Sequence, residues 1–145
     1  MHFFLILILL WLPNVGKTAG SILDEQSNYQ LEVALIYKIA KFIYWPDETN
    51  KQMSPEYFNI CVLQNLDIYS ALNVLRSRTI KSLPIKISHY DFSSEVSSQC
   101  RILFIPSSRK PYLQLIFKQL KNNSILTLST LPDFAKQGGH DWIID

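Results

Sequence analysis

A chain of 145 residues suits a single domain able to bury most of its apolar surface. Lys and Arg outnumber Asp and Glu by only 14 to 12, with no basic block interleaved with aromatics, so nothing points to a nucleic-acid surface. Only four glycines occur, and no Gly-rich phosphate loop is present.

Phe3 to Leu12 is an unbroken apolar run, followed by Pro13, Gly16 and the small residues Ala19, Gly20 and Ser21. This is the layout of a secretory signal peptide, cleaved just after Gly20 or Ser21. The run is shorter than the roughly 20 apolar residues that span a bilayer. Residues 1–20 are therefore read as a signal peptide. A retained N-terminal anchor is the alternative, because Met1 and His2 carry no Lys or Arg. Removal takes away Lys17 alone among the charged residues, and the formal charge falls from +2 to +1.

The stretch from Ser27 to Pro46 predicts a helix. Ser27 and Gln30 form a capping box, and Tyr29, Val33, Ile36, Ala40 and Ile43 mark one apolar face. Leu31, Leu35, Ile39 and Phe42 cover much of a second face, so the helix is expected to be nearly surrounded by protein. Pro46 is expected to end it. Trp45 is either a packing plug at its C-terminus or part of a partner surface.

After a polar loop, Tyr57 to Leu63 predicts a buried strand. Leu66 to Arg78 is a helix with Leu66, Tyr69, Leu72 and Leu75 at steps of three, and Arg76 and Arg78 at its C-terminal end. Pro84 to Tyr90 alternates as a half-buried strand, and Asp91 to Gln99 reads as a loop with one helical turn. Arg101 to Ile105 is a second wholly apolar strand, and Pro111 is placed to begin a helix that runs to about Lys121. Ser124 to Ser129 is another strand, Pro132 to Gln137 a short helix capped by Gly138 in the left-handed region, and Asp141 to Ile144 begins one more strand. Strands and helices alternating at this spacing predict an α/β fold. Specifically, it is a small three-layer flavodoxin-like or Rossmann-like domain over residues 28–145, with a mainly parallel sheet and helices on both faces.

Export changes how the cysteines read. In an oxidising compartment an even count predicts a bridge, here Cys61 to Cys100, against the alternative of two buried thiols. In a doubly wound sheet ligands sit beyond the carboxyl ends of the strands, which brings Gln64 and Asn65 near Pro106 to Lys110. Ser107, Ser108, Arg109 and Lys110 precede a predicted helix and could hold an anion there, the alternative being an ordinary solvated loop with a Ser cap. His89 falls on the apolar side of its strand and reads as a satisfied core or edge histidine. His140 has no second His or Cys at metal spacing. No nucleophile elbow or paired-carboxylate motif occurs, and no catalytic residue, metal site or cofactor is assigned.

Several stretches together resemble the YfiR-like family of bacterial periplasmic proteins. They are Tyr29 to Pro46 with its Phe42-Ile-Tyr-Trp45-Pro46 ending, Ile60-Cys61-Val62-Leu63, Cys100-Arg-Ile-Leu-Phe-Ile105, Ile125-Leu-Thr-Leu-Ser129 and Phe134-Ala-Lys-Gln-Gly138-Gly139. The resemblance implies an exported, dimeric, non-enzymatic repressor that binds the periplasmic sensor domain of an inner-membrane diguanylate cyclase. Through it the protein would control cyclic di-GMP and biofilm. It also implies sequestration by an outer-membrane lipoprotein, and makes Cys61 and Cys100 a structural disulfide. A small-ligand binding module acting on another membrane receptor is the alternative function. The chain departs from the family pattern at Gln64, where the family usually has Gly, and in ending at Asp145 where the family continues through further strands and a helix. A partner covering the sheet edge, a shorter relative and a truncated reading frame are the open explanations of that ending.

Overall fold

The structure, a computed structural model, describes residues 19–45 and 56–138, with the side chains of the first helix from residue 29 onward. Helix α1 (Ala19–Phe42) precedes β1 (Phe58–Leu63) and α2 (Leu66–Leu72), which a 3-10 turn extends over Asn73–Ser77. A hairpin of β2 (Thr79–Ile80) and β3 (Leu83–Tyr90) follows, then β4 (Cys100–Phe104), α3 (Leu113–Leu120) and β5 (Leu126–Leu128). The strands form one sheet in the order β2-β3-β1-β4-β5. Every pairing is parallel except that of β2 with β3. The fold is thus α/β, a mostly parallel sheet with helices packed on both faces.

The period-two alternation of β1 divides two cores. Phe58, Ile60 and Val62 face α1 and α2 in a cluster with Val33, Ile36, Ala40, Ile68 and Leu72. Cys61 and Leu63 point the other way, into a cluster with Leu113, Ile116 and Leu120 of α3. A strand covered on both faces is apolar at nearly every position, which is why residues 60–63 and 102–105 are unbroken apolar runs.

Four expectations are corrected. The capping box at Ser27 is not used: α1 begins at Ala19, and the Ile-Leu-Asp-Glu-Gln stretch before Ser27 continues the helix instead of breaking it. The helix is not nearly surrounded by protein. Val33, Ile36 and Ala40 are buried, but Leu31, Leu35 and Phe42 lie in solvent, Phe42 being 84% exposed. Among the described residues, the sheet covers the first face and α2 flanks one side. The helix also stops at Phe42, short of Pro46, which lies outside the described residues. There the Trp45 indole N–H donates to the Ala40 carbonyl at 2.9 Å, satisfying one of the acceptors that a helix end leaves free. Finally, α3 begins at Leu113, not Pro111; residues Ser107–Tyr112 form a 3-10 helix with Pro111 inside it. His140, the expected strand at Asp141 to Ile144 and the apolar run at Phe3 to Leu12 lie outside the described residues. Gly138 does cap the last turn with φ of 107°, a conformation that a side chain would strain.

The β2–β3 hairpin was not anticipated. Its two-residue turn, Lys81-Ser82, holds both residues at positive φ, 48° and 66°, the geometry of a type I′ turn that usually selects Asn-Gly. Left-handed backbone at such residues costs on the order of 1 kcal/mol. Part of the gain from a glycine is lost to its greater freedom in the unfolded chain. Ser82→Gly is therefore expected to raise stability by about 0.5–1 kcal/mol, read as a higher urea midpoint at unchanged slope. Lys81 itself is held in place, its Nζ donating to the Trp45 carbonyl at 3.2 Å and lying 5.3 Å from the centre of the Tyr44 ring.

Candidate functional site

Two constellations carry most of the chemistry: a disulfide joined to an aromatic plug across β1 and β4, and the polar loops at the carboxyl end of the sheet. Cys61 and Cys100 are bridged, with Cα atoms 6.0 Å apart and a separation of 39 positions in sequence. The pairing depends on a register shift. Asn59 lies opposite Cys100 but Ile60 lies opposite Ile102, so Arg101 is an extra residue on β4. Without that bulge Cys100 and Ile102 would share a face. With it, Cys100 turns toward Cys61 in the α3 core while Ile102 stays in the α1 core. Both cysteines are sealed from solvent, at 0% and 2% exposure.

The bulge also aims Arg101. Its guanidinium lies 6.0 Å from the ring centre of Trp45 and 5.7 Å from that of Phe58. The two rings meet edge to face at 5.2 Å. Trp45 is 9% exposed, so its indole is committed to the core, its N–H to Ala40 and its face to Phe58 and Arg101. Trp45 is thus packed in the core with Phe58.

At the carboxyl end, Gln64 follows β1 with φ of 52°. That left-handed geometry suits glycine, and it explains why a glycine serves well at this position. Here Gln64 is held by its own backbone N–H, which donates to the Tyr90 carbonyl at 2.9 Å, and by its side-chain amide, which donates to the Asp91 carbonyl. Asn65 caps α2, its side-chain oxygen accepting from the N–H groups of Asp67 and Ile68 at 3.1 Å each. The register of β1 with β4 sets this loop beside the one that begins at Pro106, the adjacency the sequence implied.

Ser107, Ser108 and Lys110 are exposed and Arg109 is partly buried. The 3-10 geometry spends donors that an α-helix start would leave free: the Arg109 N–H donates to the Pro106 carbonyl and the Leu113 N–H to that of Lys110. Arg109 packs over the Tyr112 ring at 5.6 Å, and its Nε is buried without a hydrogen-bond partner. His89 is not a satisfied histidine as expected. Its ring meets Tyr69 edge-on at 5.6 Å, Nδ1 stands 4.0 Å from an Asp91 carboxylate oxygen, and buried Nε2 lacks a partner. On the helix side, burial holds the Glu32 carboxyl above its ordinary range. No group of three His, Cys, Asp or Glu stands at metal-holding distance among the described residues. No helix among them is long and apolar enough to cross a membrane.

The bulge and the polarity of α1 are what sequence reading missed. No local pattern marks the bulge: Cys100 and Ile102 sit two apart on a strand, and only the packed sheet shows that they serve opposite cores. Compared with known families, the chain matches the model described as YfiR/HmsC-like over residues 29–144. No curated protein matches it.

Proposed function

The chain belongs to the YfiR/HmsC-like family, and from that premise we propose that it is an exported, non-enzymatic regulator that binds and restrains an inner-membrane diguanylate cyclase. The family match, which runs from Tyr29 within α1 past the last described turn, carries this reading. The Cys61–Cys100 bridge supports an oxidising, periplasmic location, and so does the apolar run at Phe3 to Leu12 as a signal peptide. The strand order β3-β1-β4-β5 supports reading the sheet as the start of a doubly wound, flavodoxin-like one. On this reading the protein recognises a protein surface, and an outer-membrane lipoprotein is a further partner that would sequester it.

The test is affinity capture from solubilised membranes with and without reductant. A diguanylate cyclase retained by the bridged protein, and lost once the bridge has been reduced, is the expected result. Recovery of no cyclase under oxidising conditions would overturn the proposal.

A second reading, a small-anion binding module, draws on the buried, unpartnered Nε of Arg109 beside exposed Ser107, Ser108 and Lys110. Calorimetric titration with inorganic phosphate measures it. Binding is expected to weaken by about 10-fold or more in Arg109→Ala, since a charge-assisted hydrogen bond contributes roughly 1.5–3 kcal/mol. Equal binding by the variant would rule the site out.

A further inference from the structure

The two helical layers of the molecule carry charge differently. On the α1–α2 side the signs are mixed, with Glu32 and Asp67 among Lys38, Lys41, Arg76 and Arg78. From Val96 to Pro132, by contrast, the sequence holds no Asp or Glu. In that span Arg109, Lys110, Lys118 and Lys121 lie on α3 or at its ends. All are exposed except Arg109, which is partly buried, and none has an ion-pair partner among the described residues. Of the neighbouring acids, Asp133 is paired with Lys136 at 2.7 Å and Asp91 stands 4.0 Å from His89. That leaves Glu95, on the 3-10 turn after β3, to oppose the four cations.

The same face is apolar as well as basic. Leu113, Ile116 and Leu120 bury the inner side of α3, so Leu115, Lys118 and Lys121, at steps of three, form a row on its outer side. Tyr112 lies just before the helix, with the Arg109 guanidinium 5.6 Å from its ring centre. Phe92 is held beside α3 because the hydroxyl of the next residue, Ser93, donates to the Gln119 side-chain carbonyl. Tyr112, Leu115 and Phe92 are each more than half exposed. Aromatic and leucine side chains shown together with lysines are the groups that enter a lipid headgroup layer. The apolar parts settle toward the hydrocarbon boundary while the ammonium groups stay among the phosphates.

We propose that this outer face of α3 docks on an anionic phospholipid surface. Lys118 and Lys121 meet headgroup phosphates, and Tyr112, Leu115 and Phe92 enter the headgroup layer. Charge complementarity selects the occupant: four cations without ion pairs surround exposed apolar side chains, and an anionic bilayer is negative at its surface and apolar just beneath. Binding of this kind is reversible, each cation near the surface contributing about 5-fold to partitioning. Docking by α3 also keeps α1 and α2, on the opposite face of the sheet, turned away from the lipid.

The proposal does not rest on the cyclase reading, and its test uses the purified mature protein with no cyclase present. Sedimentation with vesicles of mixed phosphatidylcholine and phosphatidylglycerol should carry the protein down, and vesicles of phosphatidylcholine alone should not. Lys118→Glu combined with Lys121→Glu should lower the partition coefficient about 25-fold or more. Leu115→Ser should lower it about 5-fold. These positions are exposed, so circular dichroism should not change. Lys38→Glu combined with Lys41→Glu, the same charge change on α1, should leave binding within about 2-fold. At equal ionic strength, chloride and phosphate should release the protein alike. Failure to bind phosphatidylglycerol vesicles, or an equal loss from the α1 pair, would overturn the proposal. So would selective release by phosphate, which would assign the contact to a free-anion site at Arg109. Vesicle binding indifferent to the α3 pair would also overturn it, and capture of a lipoprotein lost in that pair would then assign the face to a protein.

Discussion

Replacing Cys61 and Cys100 by alanine is expected to destabilise the domain by about 4–5 kcal/mol. Closing a loop of this length removes roughly 4 kcal/mol of chain entropy from the unfolded state, and the lost sulfur atoms leave small voids in the α3 core that add to it. For a domain of this size that is a fall in melting temperature on the order of 15 °C. Because the bridge acts as one unit, either single substitution should cost nearly as much as the pair, and scanning calorimetry of the three variants reads this directly. A second consequence comes from burial. With both cysteines at 2% exposure or less, a thiol reductant has no route to the bond in the folded protein, so reduction should proceed only as fast as the β1–β4 region opens. Loss of the bridge within minutes in native buffer, without loss of structure, would show that this region opens far more readily than its packing implies. Additive single-mutant costs would show that the bridge is not the source of the stabilisation.

The same bridge shows how far sequence reading reached. The apolar runs of β1 and β4 announced strands buried on both faces, and an even cysteine count in an exported chain announced the pairing. What local pattern could not give is the route by which the pairing is made. A regular β4 would have turned Cys100 away from Cys61, and only the register with β1 shows that Arg101 is an inserted residue. Register is a property of two strands and leaves no mark in one. The β2–β3 turn escaped notice for a related reason: Lys81 and Ser82 hold left-handed geometry with none of the Asn or Gly that signals it. In α1 the spacing identified the apolar residues correctly but could not say what covers them. Leu31, Leu35 and Phe42 proved to face solvent because, among the described residues, only the sheet and α2 pack on the helix. At Ser107 to Lys110 the residues were rightly placed at the end of β4. The 3-10 path of the chain through Pro111 then decided how few backbone donors were left for an anion.

Trp45→Ala is expected to cost about 3–5 kcal/mol, the range for removing a large buried aromatic. Several losses combine here. The indole N–H that satisfies the Ala40 carbonyl disappears, the edge-to-face contact with Phe58 is broken, and Arg101 no longer has the Trp45 ring beneath it. Trp45→Phe separates these contributions. It keeps an aromatic against Phe58 and Arg101 but leaves the Ala40 carbonyl without its donor, so a loss of about 1–2 kcal/mol is expected. Urea denaturation of the two variants gives both figures on one scale. The pair also decides what the aromatic ending of α1 is for. If Trp45 only closes the core, Trp45→Phe should bind a captured partner with unchanged affinity once folded, because the side chain presents 9% of its surface to solvent. Weak capture by a fully folded Trp45→Phe protein would place the indole in the recognition surface instead. The exposed neighbours Phe42 and Tyr44, at 84% and 78% exposure, are better placed for that role. Substituting them should leave the unfolding free energy from urea denaturation within about 0.5 kcal/mol of the parent. A partner contact carried by this end of α1 would therefore appear as lost capture at Phe42 or Tyr44 without lost stability, the reverse of the pattern expected at Trp45.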